Sequence, residues 1–377
     1  MAATGTAPIH ISLDAAAVTG GTDDLLTAIL HANPRVSDVI FSPGRKLQVQ
    51  ISGEFAGAEF SNLPALNADD TRRIASNLIG NNKAAIGMLR EQGYCDISYA
   101  LPGVARFRVN VFIQRGSCAV VMRVIPTTVP TIESLNAPAA LAEIARLREG
   151  LVLVTGPRGS GKSSTLAALI DHINSSVPCH IITIEDPIEF LHNHKQAILH
   201  QRELHSDTPS LPHAMRAALR QAPHVIAVGE LKERESMELA LEAAEAGHLV
   251  LSTMTALNAA KAVERIISIL GGNDQSAVRD RLARILRCVI SQRLVPRRNE
   301  GERTAVFEIV NANAPELGLQ PEEVPPALQH TRKISFDSEL ERLVREDVIT
   351  ADTALACASD VQILSAKLSS PRNPHKR

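Results

Sequence analysis

Gly156-Pro-Arg-Gly-Ser-Gly-Lys162-Ser163 matches the pattern G-x-x-x-x-G-K-[ST]. Before it runs Leu151-Val-Leu-Val-Thr155, a short apolar stretch fit for a buried strand. After it, Ser164-Thr-Leu-Ala-Ala-Leu-Ile170 reads as a helix. Strand, loop and helix in that order are the context a phosphate-binding loop requires. Its glycines let backbone N–H groups wrap phosphate oxygens, its lysine reaches the β- and γ-phosphates, and its hydroxyl ligates Mg²⁺. The start of the helix adds a partial positive charge. Gly156, Arg158, Gly159, Ser160, Gly161, Lys162, Ser163 and Ser164 are therefore the candidate nucleotide-binding residues, with ATP and Mg²⁺ as the implied cofactors. The competing reading, a glycine-rich turn with a stray lysine, does not account for both flanks.

The chain has 377 residues, 45% hydrophobic and 21% charged, an ordinary globular composition with room for two or three domains. Its net charge is −2, from 39 Lys and Arg against 41 Asp and Glu. With no basic excess and 3% aromatic residues, nucleic acid is not an expected partner. No apolar run reaches the length of a membrane span, so direct membrane insertion is not expected either. Met1-Ala-Ala-Thr-Gly-Thr-Ala-Pro8 has no basic stretch before an apolar core and does not read as a secretory signal. The five cysteines are too scattered for a four-cysteine zinc site, and disulfides are not expected.

Residues 1–20 read as a flexible lead-in, and 21–126 as a small α+β module. That module holds helices near 22–33, 68–80 and 83–91, a strand-like stretch from 38 to 60 that alternates at 47–51, a turn at Ser52-Gly53-Glu54, and strands at 106–112 and 118–125. Pro126-Thr-Thr-Val-Pro130 opens a linker, 127–136. From 137 to 367, strands near 151–155, 180–185, 224–229 and 248–254 alternate with helices near 137–147, 162–174, 209–220, 233–246 and 258–270. This alternation predicts a parallel sheet covered by helices on both faces. Two further strands, 289–295 and 304–310, and more helix follow, with a disordered tail at 368–377.

Two strands end in acids. Ile181-Ile-Thr-Ile-Glu185-Asp186 and Val225-Ile-Ala-Val-Gly229-Glu230 would present carboxylates where an open α/β sheet meets its ligand. Glu230 is expected to orient or activate water, and Glu185, Asp186 or Glu189 to join Ser163 around Mg²⁺. The plainer reading is that these acids solvate strand ends.

Ile182-Thr-Ile-Glu-Asp-Pro-Ile-Glu189 resembles the aspartate box of the secretion and type IV pilus motor ATPases. Gly247-His248-Leu-Val resembles the start of their histidine box, and Arg106-Phe-Arg-Val-Asn-Val-Phe-Ile-Gln-Arg-Gly116 their arginine-bearing strand. Phe336-Asp-Ser-Glu-Leu340, with Val348-Ile-Thr350 and Ala354-Leu355, is similar to the C-terminal helices of the PilT-like retraction branch. The resemblance spans about residues 25–367. It implies an α/β fold, a RecA-like P-loop ATPase domain preceded by a smaller PAS-like domain. It implies a homo-hexamer, or a ring mixed with a paralogous subunit, that hydrolyses ATP to power pilus retraction. Such a ring works in the cytoplasm, peripheral to the inner membrane, against a pilus platform protein. The missing tetracysteine module and the short N-terminal part favour the retraction branch over assembly or secretion relatives. Arg108 and Arg115 take the arginine-finger role and His248 joins the catalytic set in this reading. A solvated edge strand is the competing account of the arginines.

The chain departs from the family pattern. Thr255 stands where the histidine box has its second histidine, and Lys232 where an arginine is usual after the acid of the second strand. Arg158 lies inside the loop where threonine is usual, and Asn311-Ala-Asn-Ala-Pro-Glu316 replaces a recognisable arginine-bearing run. A low-turnover nucleotide-binding scaffold is therefore the rival to a full motor. Eight of the thirteen histidines lie between 172 and 224, but nothing in their spacing closes a metal site.

Overall fold

The computed structural model describes residues 21–51, 54–56, 64–125, 128–272, 274–299, 302–320, 328 and 333–369. The expected lead-in 1–20, Ser52 and Gly53 of the expected turn, and residues 370–377 of the expected tail lie outside these. Glu54 of that turn begins a strand, and Leu368 and Ser369, assigned to the tail, end the last helix. Two compact units divide the chain at Thr128/Val129, the first also taking in Pro187–Phe190.

In the first unit, α1 (Thr22–Ala32), β1 (Val36–Phe41), β2 (Gln48–Ile51) and β3 (Glu54–Ala56) are followed by α2 (Ala68–Ile79) and α3 (Lys83–Gln92). Asn67 starts α2 by accepting the amides of Asp69 and Asp70, the standard way to satisfy a helix's first free donors. Strands β4 (Tyr94–Leu101), β5 (Ala105–Gln114) and β6 (Ser117–Ile125) complete an antiparallel sheet in the order β3-β2-β1-β6-β5-β4. Along β5 the two-residue period buries Phe107, Val109 and Val111 and leaves Arg106, Arg108 and Asn110 on the other face. The expectation had missed β1 as a separate strand and β4 altogether.

The second unit begins before its expected start. Residues 131–136, assigned to the linker, form an ordered turn: the Thr131 amide donates to Ser134 Oγ at 2.8 Å, and the Asn136 carbonyl accepts from Arg342 at 2.9 Å. The predicted helix 137–147 shrinks to α4 (Ala140–Ile144). There follow β7 (Gly150–Thr155), α5 (Lys162–Ser176), β8 (His180–Glu185), β9 (Ile198–Glu203), α6 (Leu211–Ala218), β10 (Val225–Glu230), α7 (Arg234–Glu245), β11 (Leu249–Met254), α8 (Ala259–Gly271), α9 (Gln275–Ile285), β12 (Leu286–Pro296) and β13 (Arg303–Asn311). The sheet runs β13-β12-β7-β11-β10-β8-β9, parallel throughout except for β13.

Alternate residues of each central strand feed two separate cores. Leu151, Leu153, Ile226, Val228 and Val250 pack with α7, α8 and α9. Val152, Val154, Ala227 and Leu251 pack with α4 and α5. Burial on both faces explains why these strands read as continuous apolar runs. At the edge, β9 turns amides away from β8, and side chains take two of them. Leu199 N–H donates to His194 Nδ1 at 3.1 Å, and Glu203 N–H to Asp207 Oδ2 at 2.8 Å. Helices α10 (Phe336–Arg345), α11 (Ala351–Cys357) and α12 (Val361–Ser369) form a small core with Val295 and Val306, and Arg293 lies 4.1 Å over the Phe336 ring.

Candidate nucleotide-binding site

The loop leaves β7 at Thr155 and enters α5 at Lys162. Gly156, Gly159 and Gly161 have φ of 156°, 74° and 86°, which side-chain-bearing residues rarely adopt. Space excludes a side chain as well. A Cβ on Gly156 would lie 2.4 Å from the Gln292 carbonyl oxygen, and one on Gly161 would lie 2.8 Å from Gln292 Nε2. Gln292, on β12 and 1% exposed, is thus the floor of the loop, and its Oε1 accepts the buried Thr165 hydroxyl at 2.6 Å. Lys162 Nζ donates to the carbonyls of Gly156 and Pro157 at 3.0 and 2.9 Å, which holds its charge over the loop. Ser160 Oγ is buried and has no hydrogen-bond partner among the described residues, a polar atom left for a ligand. Ser163 and Ser164 are half-buried in the first turn of α5, and Arg158 is exposed.

The parallel register brings the acids to the same edge. Thr155 pairs with Met254, Thr253 with Glu230, and Val228 with Ile184, so the loop and the ends of β11, β10 and β8 lie side by side. Glu185 Oε1 accepts from Thr183 Oγ1 at 2.6 Å and from Gln201 Nε2 at 3.0 Å. Gln201 in turn accepts the His192 amide at 2.8 Å. Asp186 and Glu189 are exposed, Glu189 within the segment that belongs to the first unit.

Glu230 follows an irregularity in β10 that Ser252 and Thr253 secure by donating to the Gly229 carbonyl at 3.0 and 3.2 Å. Its Oε1 accepts the Thr255 hydroxyl, and its Oε2 lies 3.2 Å from Lys232 Nζ. Burial works to raise the pKa of this carboxyl. Hydrogen bonds from Thr255 and Lys232 and the charges of Lys232 and Lys162 outweigh it and hold the pKa below the usual carboxylate value. The influence of Lys162 on Glu230 marks loop and acid as one electrostatic site.

His248 does not join them. It precedes β11, where its carbonyl accepts the Gly150 amide at 3.0 Å, and Gly150 is the start of β7. Both strands run about 20 Å from there before reaching the loop. Its Nδ1 pairs with the Ala243 carbonyl at 3.0 Å. The expected catalytic role is replaced by a structural one, and strand direction was the signal that could have shown it. Arg115 does not follow a turn but forms it. With Gly116 it makes the two-residue β5–β6 hairpin, at φ 48° and 75°. Arg108 is exposed and pairs in register with Arg123, which is bound to Asp38 at 2.9 Å. Among the described residues no group of three or more His, Cys, Asp or Glu side chains is placed to hold a metal ion. Two buried thiols are not poised as nucleophiles: burial pushes Cys95 up to about 11 and Cys288 to about 12. Gln292 and Gln201 escaped the sequence reading. The one available hint was the polar run Ser291-Gln292-Arg293 interrupting the apolar residues of β12.

Known proteins match this arrangement. The profile of the type II/IV secretion system protein family matches residues 95–330. A twitching motility protein of Neisseria gonorrhoeae is 40% identical over 311 residues, 81% of this chain and 83% of that protein. The type IV pilus retractation ATPase PilT of Pseudomonas aeruginosa is 39% identical over 279 residues, 74% of this chain and 79% of that protein. The crystal structure of the pilus retraction motor PilT with bound ADP superposes with a TM-score of 0.80 at 35% identity, covering 92% of this chain and 99% of that one.

Proposed function

The chain belongs to the type II/IV secretion system protein family, and we propose that it is a Mg²⁺-dependent ATPase subunit of a hexameric motor that retracts type IV pili. The observation that carries the reading is the alignment, on one sheet edge, of the Lys162 loop with Glu230 and Glu185. The amides of the loop and Lys162 hold the phosphates. Mg²⁺ would be held by hard oxygens, the Ser163 hydroxyl and the carboxylates of Glu185 and Asp186, a set that suits this ion. Glu189 is the further candidate in the segment that follows. Mg²⁺ neutralises charge on the β- and γ-phosphates when bound. Glu230 orients the attacking water and accepts its proton. Thr183 and Gln201 fix the Glu185 carboxylate, so little rearrangement accompanies the reaction.

Arg108 and Arg115 are the candidates to stabilise transferred charge from a neighbouring subunit, in a ring of identical or paralogous chains. The ring's site of action is the cytoplasmic face of the inner membrane, against the pilus platform. No helix among the described residues is long and apolar enough to cross a membrane. Phosphate release from ATP, with and without Mg²⁺, tests the reading, and Lys162→Ala serves as the control. A second reading, a low-turnover scaffold, draws on the lowered pKa of Glu230, which weakens it as a base. Tight ATP binding without phosphate release would select it.

A further inference from the structure

Two residues that depart from the pattern implied by the sequence resemblance meet on one carboxylate. Thr255, just past β11, donates to Glu230 Oε1, and Lys232, two residues past β10, reaches Glu230 Oε2 at 3.2 Å. We propose that Thr255 and Lys232 are a matched clamp that orients Glu230, one residue for each oxygen, so that neither works fully without the other. The inference rests on the reading of Glu230 as the group that handles the attacking water.

The frame around Thr255 is rigid. The Ser252 and Thr253 hydroxyls hold the Gly229 carbonyl, the Leu231 amide donates to the Thr253 carbonyl at 3.0 Å, and Arg265 reaches the Thr255 carbonyl at 3.3 Å. Thr255 therefore pins one carboxylate oxygen to the end of β11. A carboxylate held at one oxygen still rotates about its last bond. The Lys232 ammonium stops that rotation. Lys232 is 60% exposed, and an ion pair that open contributes little when it stands alone. It gains effect because the other oxygen is already fixed. The hydroxyl supplies a hydrogen bond without charge, and the lysine supplies the charge. A histidine at 255 would bring bulk and a possible second cation up against Lys232. The single change Thr255→His therefore gains no rate unless Lys232 is changed as well.

Both are positioning residues, acting through Glu230. The charged groups at this strand end are Lys232 itself, Lys162 at the start of α5, Glu185 and Asp186 at the end of β8, and Arg265 on α8. Removing the ammonium leaves Glu230 with fewer groups favouring its ionised form, so its pKa rises. The acid limb of the kcat profile then moves to higher pH.

The test is a double-mutant cycle on the full-length protein, with kcat and KM for ATP measured across pH. Lys232→Met and Thr255→Val each lower kcat by roughly 10- to 100-fold with KM within about twofold. The double variant falls less than about threefold below the worse single one. Lys232→Met shifts the acid limb upward, while Lys232→Arg and Thr255→Ser, which keep the charge and the hydroxyl, retain most of the rate. Calorimetric binding of ADP confirms that each variant is folded, and the two conservative variants carry the test if a truncating one is not. Losses that multiply in the double variant, or a raised KM at unchanged kcat, overturn the clamp. If the unmodified protein releases no phosphate, the ATPase reading itself fails. If it does, and Lys232→Met matches it in rate and pH limb, the clamp alone is wrong.

Discussion

Gln292 and Thr165 are 127 residues apart in sequence, yet the carboxamide oxygen of one accepts the hydroxyl of the other at 2.6 Å, both fully buried. Through this bond β12 holds the first turn of α5 and, with it, the loop. In Gln292→Leu the Thr165 hydroxyl stays buried without its acceptor, at about 1–3 kcal/mol. Denaturant unfolding is expected to show that loss, and ATP binding to weaken with it. Unchanged stability would remove Gln292 from the site's framework.

Lys162→Ala deletes the cation that the loop carbonyls hold in place. Phosphate release is expected to fall to background. Turnover at the rate of the unmodified protein would show that the nucleotide binds elsewhere.

Arg115 sits at φ 48° in a two-residue hairpin that suits Asn-Gly far better than Arg-Gly. Arg115→Asn is expected to raise stability by roughly 0.5–1 kcal/mol, because asparagine tolerates the left-handed region that other residues enter at a penalty. It is expected to lower ATP turnover, and Arg108→Ala to do so as well, with ADP affinity kept in both. A stabilised Arg115→Asn with full turnover would reduce this arginine to a poor turn residue.

His248→Ala removes a hydrogen bond at the far end of the sheet, worth about 1 kcal/mol. The expected outcome is a small drop in melting temperature with kcat within about twofold. A loss of kcat by orders of magnitude would contradict the placement of this residue away from the loop.

The elements that the sequence made legible are those whose burial is simplest. β7, β10 and β11 are covered on both faces, so three or four apolar residues in a row announced them, and the loop between β7 and α5 carried its own chemistry. β9 was hidden because an edge strand reading Ile-Leu-His-Gln-Arg-Glu follows two apolar residues with four polar ones and shows neither an apolar run nor a two-residue alternation. His248 was misplaced because likeness to a motif carries no direction, whereas a residue that precedes a parallel strand must sit opposite that strand's active end. Thr255 stands out in the sequence only as a replacement for the second histidine of the histidine box. Its actual partner, Glu230, lies 25 residues upstream on the neighbouring strand, and only strand order brings them together. Gln201 and Gln292 were invisible for the same reason.

His194 and Asp207 carry a consequence for how the protein behaves in a crowd. An edge strand with open amides is a template on which a strand of another molecule can grow. Here an imidazole and a carboxylate from the same chain already occupy the Leu199 and Glu203 amides. Copies gathered at high local concentration therefore meet a β9 edge spoiled for strand addition.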